Sequence, residues 1–345
     1  MPNNKILGIT LGLVAIAAIT LLMDKKGSTQ KDERTGSSLI TLEDATSVDK
    51  VTLTKDAKNL VLSKNKEGAW HIEGTENFPA SAEKIVKFTD DLRKSKYLRA
   101  VSSKKEKWQL FELDKGTKLV LGQGQDKSLT FIVGKNRSGG GQYLRTPDSD
   151  TSFLVDPQIP INIEASFWEL QKLVDTKKED LKEISYTNQG KNLVTLTKEK
   201  KEDNFTVKNL GEKEEFNNTE IAGISSLLQS LTYVERLPLA GNESIGKALE
   251  KAPQTVVTKF NGDVYTASIA EISEKIAGDK EAKEEPKEKK KYYLSLTLKN
   301  GEGASLAKSK LLNELSQKWY FEIEEYKAKR FLKKRADFIK PKQAS

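Results

Sequence analysis

The sequence predicts an α+β fold: two tandem similar repeats of mainly antiparallel strands, each with one main amphipathic helix, preceded by a single N-terminal transmembrane helix. Three observations predict it. An uncharged apolar run lies near the start of the chain. Short apolar segments bounded by Gly and Asp fill most of the remainder. One pattern of strands, helix and tyrosine occurs twice at a nearly constant offset.

The apolar run, Ile6 to Met23, reads ILGITLGLVAIAAITLLM. As a helix it is about 27 Å long, enough for a hydrocarbon core of roughly 30 Å. A cleaved signal peptide has a shorter apolar stretch and a small-x-small site after it. Here Asp24, Lys25 and Lys26 follow, and Ala15-Ile16-Ala17 lies inside the run. Residues 6–23 therefore read as an uncleaved anchor, with a cleaved signal as the alternative. Orientation is open at this point. The lysines and Arg34 after the run favour a cytoplasmic domain by the positive-inside rule, whereas a short N-terminus before a long domain favours export. Residues 24–38, rich in Lys, Asp, Ser, Thr and Gly, read as a flexible tether.

The repeat places one α+β unit at 39–180 and a second at 181–345. Lys-Asn-Leu-Val occurs at Lys58 to Val61 and at Lys191 to Val194, and Trp70 matches Phe205. Ile85, Phe88 and Leu92 form an apolar stripe at helical spacing, and Ile221, Ile224 and Leu228 repeat it 136 residues later. Pro79 and Ser81 mark the start of the first helix, Asn218 and Thr219 that of the second. Tyr97-Leu98 and Tyr233-Val234 follow at the same offset. Lys118–Leu121, Leu129–Val133, Gln142–Arg145 and Ser152–Val155 are then strand candidates, with Thr255–Phe260, Val264–Ile269, Tyr292–Leu298 and Trp319–Ile323 as counterparts. Residues 274–291, EKIAGDKEAKEEPKEKKK, have too few apolar side chains to offset the entropy of ordering and read as a disordered charged insertion.

Composition narrows the function classes. The chain carries 58 Lys and Arg against 50 Asp and Glu, a net charge of +8. Lys and Glu interleave, so local fields cancel, and no basic stripe with stacking aromatics points to nucleic acid. Cysteine is absent, which removes thiolate metal sites, Cys nucleophiles and lipoprotein acylation. The one histidine, His71, sits beside Trp70 in a strand and reads as solvent-facing or hydrogen-bonded. Gly122-Gln123-Gly124 and Gly139-Gly140-Gly141 lie between strands and read as hairpin turns, since a phosphate loop needs a helix start behind its glycines. Asp90-Asp91 reads as a polar helix face. No catalytic, cofactor-binding or metal-ligating residue is assigned, and the protein is not expected to be an enzyme. The basic segment Tyr326 to Lys342 has two readings: it caps the domain through Phe331, or it touches anionic lipid.

The anchor, the strand pair ending in Trp70, the helix opened by Pro79-Ala80, the strand Tyr143-Leu144-Arg145, Phe153 to Asp156 and Phe167-Trp168 together resemble the bacterial family called domain of unknown function 4340. The resemblance covers Leu39 to Ile184 best. It implies a membrane-anchored component on the periplasmic side of the inner membrane, associated with transporters of the ABC type related to gliding-motility systems, and so favours export. It carries no catalytic residues. The expected function is a non-catalytic accessory or scaffold protein whose partners are integral membrane subunits. The alternative is a module that binds peptidoglycan or another glycan, with Tyr143, Tyr292 and Tyr293 as stacking candidates.

Overall fold

The structure is a computed structural model and describes residues 33–124, 127–276, 287–301 and 306–342. It is α+β and strand-rich, and divides into two units, one ending at Leu170 and one starting at Gln171.

In the first unit, nine strands form one antiparallel sheet: β1 (Lys50–Lys55), β2 (Lys58–Lys64), β3 (Trp70–Ile72), β4 (Phe78–Pro79), β5 (Lys96–Ser102), β6 (Thr117–Gln123), β7 (Lys127–Asn136), β8 (Gln142–Arg145) and β9 (Ser152–Asp156). Their order is β4-β3-β2-β1-β6-β7-β8-β9-β5. Alternation places Val51, Leu53, Leu60, Leu62, Leu119 and Leu121 on one face, where they are buried together. That face needs a cover. Helix α1 (Leu42–Ser47) lies at one side, closed by a capping box between Thr41 and Asp44. The main cover is α2 (Ala82–Lys94). Its N-cap is Ser81, as its sequence predicts, and its stripe Ile85, Phe88 and Leu92 is buried. Each such side chain contributes about 1.5–3 kcal/mol by leaving water. Phe88 meets Trp168 edge-on at 5.4 Å. Trp168 ends the short helix α3 (Ala165–Trp168), and its carbonyl accepts from the Ser81 N–H at 2.7 Å. The returning chain is thus pinned to the start of the covering helix.

The tether expected through Ser38 is shorter than the sequence indicates. Gly36 N–H donates to Tyr97 O, and Tyr97 N–H to Ser37 O. These bonds use backbone groups alone, so composition does not reveal them. The expected anchor at residues 6–23 lies outside the described residues. Among the described residues, no helix is long and apolar enough to cross a membrane.

The second unit holds β10 (Lys172–Val174), β11 (Leu181–Asn188), β12 (Lys191–Thr197), β13 (Thr206–Val207), β14 (Glu214–Phe216), β15 (Leu231–Thr232), β16 (Glu235–Pro238), β17 (Gln254–Lys259), β18 (Val264–Ile276), β19 (Lys287–Lys299), β20 (Trp319–Ile323) and β21 (Ile339–Pro341). The main sheet runs β13-β12-β11-β17-β18-β19-β20-β16, while β10–β15 and β14–β21 are separate pairs. Because β10 pairs with β15, the unit begins ahead of the expected break between 180 and 181. The helices are α4 (Ile221–Ser225), α5 (Glu243–Glu250), α6 (Leu306–Ser316), α7 (Glu325–Phe331) and α8 (Arg335–Phe338).

Three local expectations are corrected here. The helix expected through Ile221, Ile224 and Leu228 is α4, which ends at Ser225. It contains Gly223, a poor helix former, and its N-cap is Glu220, whose side chain makes no capping bond. Ile224 and Leu228 are still fully buried, but Ile221 is only half-buried. The shared Lys-Asn-Leu-Val is not equivalent throughout. Leu53 faces Leu60 in the first unit, but Tyr186 faces Val194 and Thr187 faces Asn192 in the second, so Leu193 is the extra residue of a β-bulge. The charged insertion is also shorter than 274–291. Glu274 pairs with Lys289 and Ile276 with Lys287 as the two strands run on. Opposite charges across a ladder and the Lys291 ion pairs with Glu274 (3.3 Å) and Glu322 (3.5 Å) order a ribbon that needs no core.

Deleting Glu274 to Lys291 and rejoining the strands with a short Gly-Ser link is accordingly expected to lower the melting temperature by several degrees in a thermal scan. An unchanged midpoint would show that these strand ends contribute nothing.

Candidate functional site

Among the described residues, a groove lies beside the covering helix of each unit, and the two grooves are built from the same kinds of parts. In the first unit α2 is narrower than the sheet beneath it. A cleft of about 370 Å³ remains between α1, α2 and the end of β2, lined by Leu42, Val48, Lys64, Trp70, Ile85 and Val86 among others. Leu42 is 66% exposed and Val86 64%, so two apolar side chains form its lips. Lys64 closes one end. Its ammonium lies 5.0 Å from the centre of the Trp70 ring and donates to Val48 O at 2.8 Å. Asp90 and Arg93 stand at the rim, bonded to each other at 2.7 Å.

In the second unit a larger cleft, about 810 Å³, lies between the β12–β13 end of the sheet and α4, with Lys198, Phe205, Phe216, Ile221, Ala222 and Ser225 in its wall. Lys198 is 5% exposed. Its ammonium lies 5.4 Å from the Phe205 ring centre and donates to the carbonyls of Lys201 (2.9 Å), Glu179 (3.2 Å) and Lys178 (3.3 Å). Burial pushes its pKa down, partly offset by Glu179 and the nearby acids. The rim is charged with both signs: Lys178 and Lys201 against Glu202 and Asp203. Neither groove is located by the sequence reading. The signal is present as a Lys a few residues before the aromatic in each hairpin, Lys64 before Trp70 and Lys198 before Phe205.

The residues weighed from the sequence lie elsewhere. His71 is half-buried on the sheet face opposite Trp70. Its Nε2 is 3.1 Å from Ser63 Oγ, and Ser63 donates to Glu73 at 2.9 Å. A serine has one hydroxyl proton, and the carboxylate is the better acceptor, so His71 donates to Ser63. A histidine in that role is not a base for Ser63. Burial favours the neutral form of Glu73, but the Ser63 hydrogen bond and the Lys50 ammonium at 3.2 Å outweigh it and hold the carboxyl below its usual range. Asp90 and Asp91 are both ion-paired, to Lys94 and to Lys87. Gly139, Gly140 and Gly141 all have positive φ, and a Cβ at Gly141 would come within 3.0 Å of Leu154 and the Val155 carbonyl, as a tight turn requires.

Two of the stacking candidates are corrected. Tyr292 and Tyr293 are 3% and 2% exposed. Tyr293 packs under Ile245 and Leu249 of α5 in a small core on the second face of the sheet. Tyr143 is half-buried and stacked on Phe111 at 4.5 Å. In the basic C-terminal segment, Phe331 and Phe338 are buried, and Lys333, Arg335 and Lys340 are paired with Glu220, Glu214 and Glu215. The capping arrangement is the one found, and these charges are already engaged.

Lys198→Met leaves three carbonyls without their donor and is expected to cost about 1–3 kcal/mol in denaturant unfolding. Lys64→Met, which frees one carbonyl, should cost less. If the two costs are equal, the carbonyl cage around Lys198 is not what holds it. Glu73, with its depressed folded pKa, stabilises the fold above the ordinary carboxyl range, and the contribution is lost as pH falls through that depressed value. The stability gap between Glu73→Gln and the parent should therefore narrow below about pH 4.3. A gap that widens in acid would contradict the assignment.

No curated protein and no solved structure matches the chain. The sequence pattern of one family, domain of unknown function (DUF4340), matches residues 70–253, a stretch that contains both covering helices, Trp70 and the Lys198–Phe205 pair, and begins after Lys64. That is more than half of the 345 residues, and the chain belongs to this family.

Proposed function

We propose that this is a non-catalytic, membrane-anchored accessory protein that acts outside the cytoplasm, holding protein partners beside the bilayer in an envelope complex of the ABC-transporter type, and that its two units are copies of one module. Several pairings support the duplication. The two main sheets follow one strand order once β4 is set aside. The Ser81 N–H bonds to Trp168 O and the Asn217 N–H to Phe338 O, each at 2.7 Å. Tyr97 rests on Phe153 at 5.0 Å, and Tyr233 on Phe321 at 5.2 Å. The tether and the ABC association rest on the apolar run Ile6 to Met23 and on the family resemblance.

The observation that carries the docking reading is the groove that recurs beside the covering helix with a lysine over its aromatic floor. The floors agree and the rims differ, exposed Leu42 and Val86 with one Asp90–Arg93 pair in the first against Lys178, Lys201, Glu202 and Asp203 in the second, as expected for two surfaces that select different partners. Anchoring adds to this. A short flexible tether raises the effective concentration of membrane neighbours to roughly millimolar, so weak contacts suffice. The glycan-binding alternative draws less support, because Tyr292 and Tyr293 are buried.

Replacing Ile6 to Met23 with a cleavable signal is expected to release a folded domain that no longer supports its complex, while His71→Ala leaves function intact. Alkaline phosphatase fused at the C-terminus should be active, as it is only outside the cytoplasm. Full function from the freed domain, or loss on His71→Ala, would reverse the proposal.

A further inference from the structure

The second unit has an open place in its sheet that the first unit fills. In the first unit β4 lies against β3: His71 pairs with Pro79 and Ile72 with Phe78. The Ala80 N–H donates to Trp70 O at 2.9 Å, and Phe78 is 1% exposed. The same segment is tied on its other side to the returning chain, through the Ala80–Glu169 bridge and the Leu170 N–H on Pro79 O. In the second unit the corresponding outer tie persists as β14 on β21, with Glu215 opposite Lys340. The inner tie is missing: β13 is the terminal strand of its sheet. The Lys208 N–H bonds inward to Thr195 O at 2.8 Å, so by the alternation of an antiparallel ladder the N–H and C=O of Val207 point outward. Among the described residues no strand pairs with that edge. The 810 Å³ cleft adjoins this edge without including Val207 in its lining: Phe205 and Thr206 lie on one wall and Phe216, Asn218 and Ile221 on the other.

We infer that this slot binds an extended segment of a partner protein as an added β-strand, seated against β13 between it and β14. The inference deepens the docking reading above and rests on the two units being copies of one module. The occupant is identified by the first unit, where an extended Phe-Pro-Ala segment fills the corresponding place, giving backbone hydrogen bonds to the neighbouring strand and one buried aromatic side chain. An uncovered strand edge is a template for such pairing, and affinity comes from the main chain while side-chain pockets set specificity. The walls suit this ligand. The half-buried Phe216 and Ile221 receive an apolar side chain, and the rim of mixed sign accommodates flanking residues of either charge instead of selecting a small anion or cation.

The test uses the full chain in detergent micelles and, as probe, a synthetic peptide of residues 74–81, Gly-Thr-Glu-Asn-Phe-Pro-Ala-Ser, beside its scrambled version. Amide exchange at Val207 is expected to be fast in the free protein and slowed at least about tenfold by the native-order peptide, with no slowing by the scrambled one. Val207→Pro, which removes the outward N–H, should abolish binding, and Val207→Thr should keep it. The exchange measurement needs no variant, so a poorly folded Val207→Pro chain does not decide the matter. A Val207 amide already protected in the free protein means that β14 closes the slot, and it overturns the proposal. So does equal slowing by the scrambled peptide, or none by either. If the slot fails while the released domain still loses its complex, only the slot is wrong and the docking reading stands.

Discussion

An antiparallel sheet with one apolar face must have that face covered, and in each unit the cover is a helix clamped by a returning segment. The clamp is a backbone hydrogen bond at the start of the helix, Ser81 to Trp168 or Asn217 to Phe338, with the large aromatic of the acceptor residue buried beneath. Because the helix is narrower than the sheet, an uncovered strip remains beside it. A lysine stem lies along that strip, its ammonium near an aromatic face and bonded to carbonyls. The long methylene stem suits an apolar strip, and the ammonium satisfies the carbonyl oxygens of the turns beside it, Val48 in one unit and Lys178, Glu179 and Lys201 in the other. The grooves are a consequence of how the sheet is covered.

The two units part company where the covering segment meets the sheet edge. In the first, Phe78-Pro79-Ala80 bonds on both sides and closes the sheet. In the second, β14 has moved with β21 and α4 is a single five-residue turn, so the edge of β13 stays open. The same unit gains coverage elsewhere. Helix α5 builds a second small core around Tyr293, and α6 bonds to β19 through Asn313, whose side chain engages both the N–H and the C=O of Leu298. The second unit is therefore packed on both faces of its sheet.

Much of this is legible in the sequence, and the failures have physical causes. Ser81 announces its helix because a hydroxyl before an apolar stripe satisfies orphan N–H groups. Asn218 and Thr219 look the same but do not cap. Thr219 bonds to Asn217 instead, and Gly223 shortens the helix behind them. The bulge at Leu193 is hidden because an inserted residue leaves the local motif intact and shifts only its partner. Residues 274–276 and 287–291 look disordered by apolar content, which is a sound guide only where order needs a core. A ribbon of cross-strand charge pairs continuing two long strands does not. Tyr292 and Tyr293 look exposed in sequence because alternation predicts one outward side chain per pair, yet α5, far away in sequence, covers the second face. The grooves are the least legible part, since each joins a strand end, a helix face and a preceding turn.

The central claim is that these grooves meet protein partners only when the chain is tethered. A photoreactive benzophenone residue placed at Ala222, in the wall of the larger groove, tests it most directly in intact cells. The account predicts a defined crosslinked species from the anchored chain that disappears when Ile6 to Met23 is replaced by a cleavable signal, and none from the same group at Lys118 on the exposed sheet face. The same crosslinks from Lys118, or a species from Ala222 that survives release from the membrane, would contradict it.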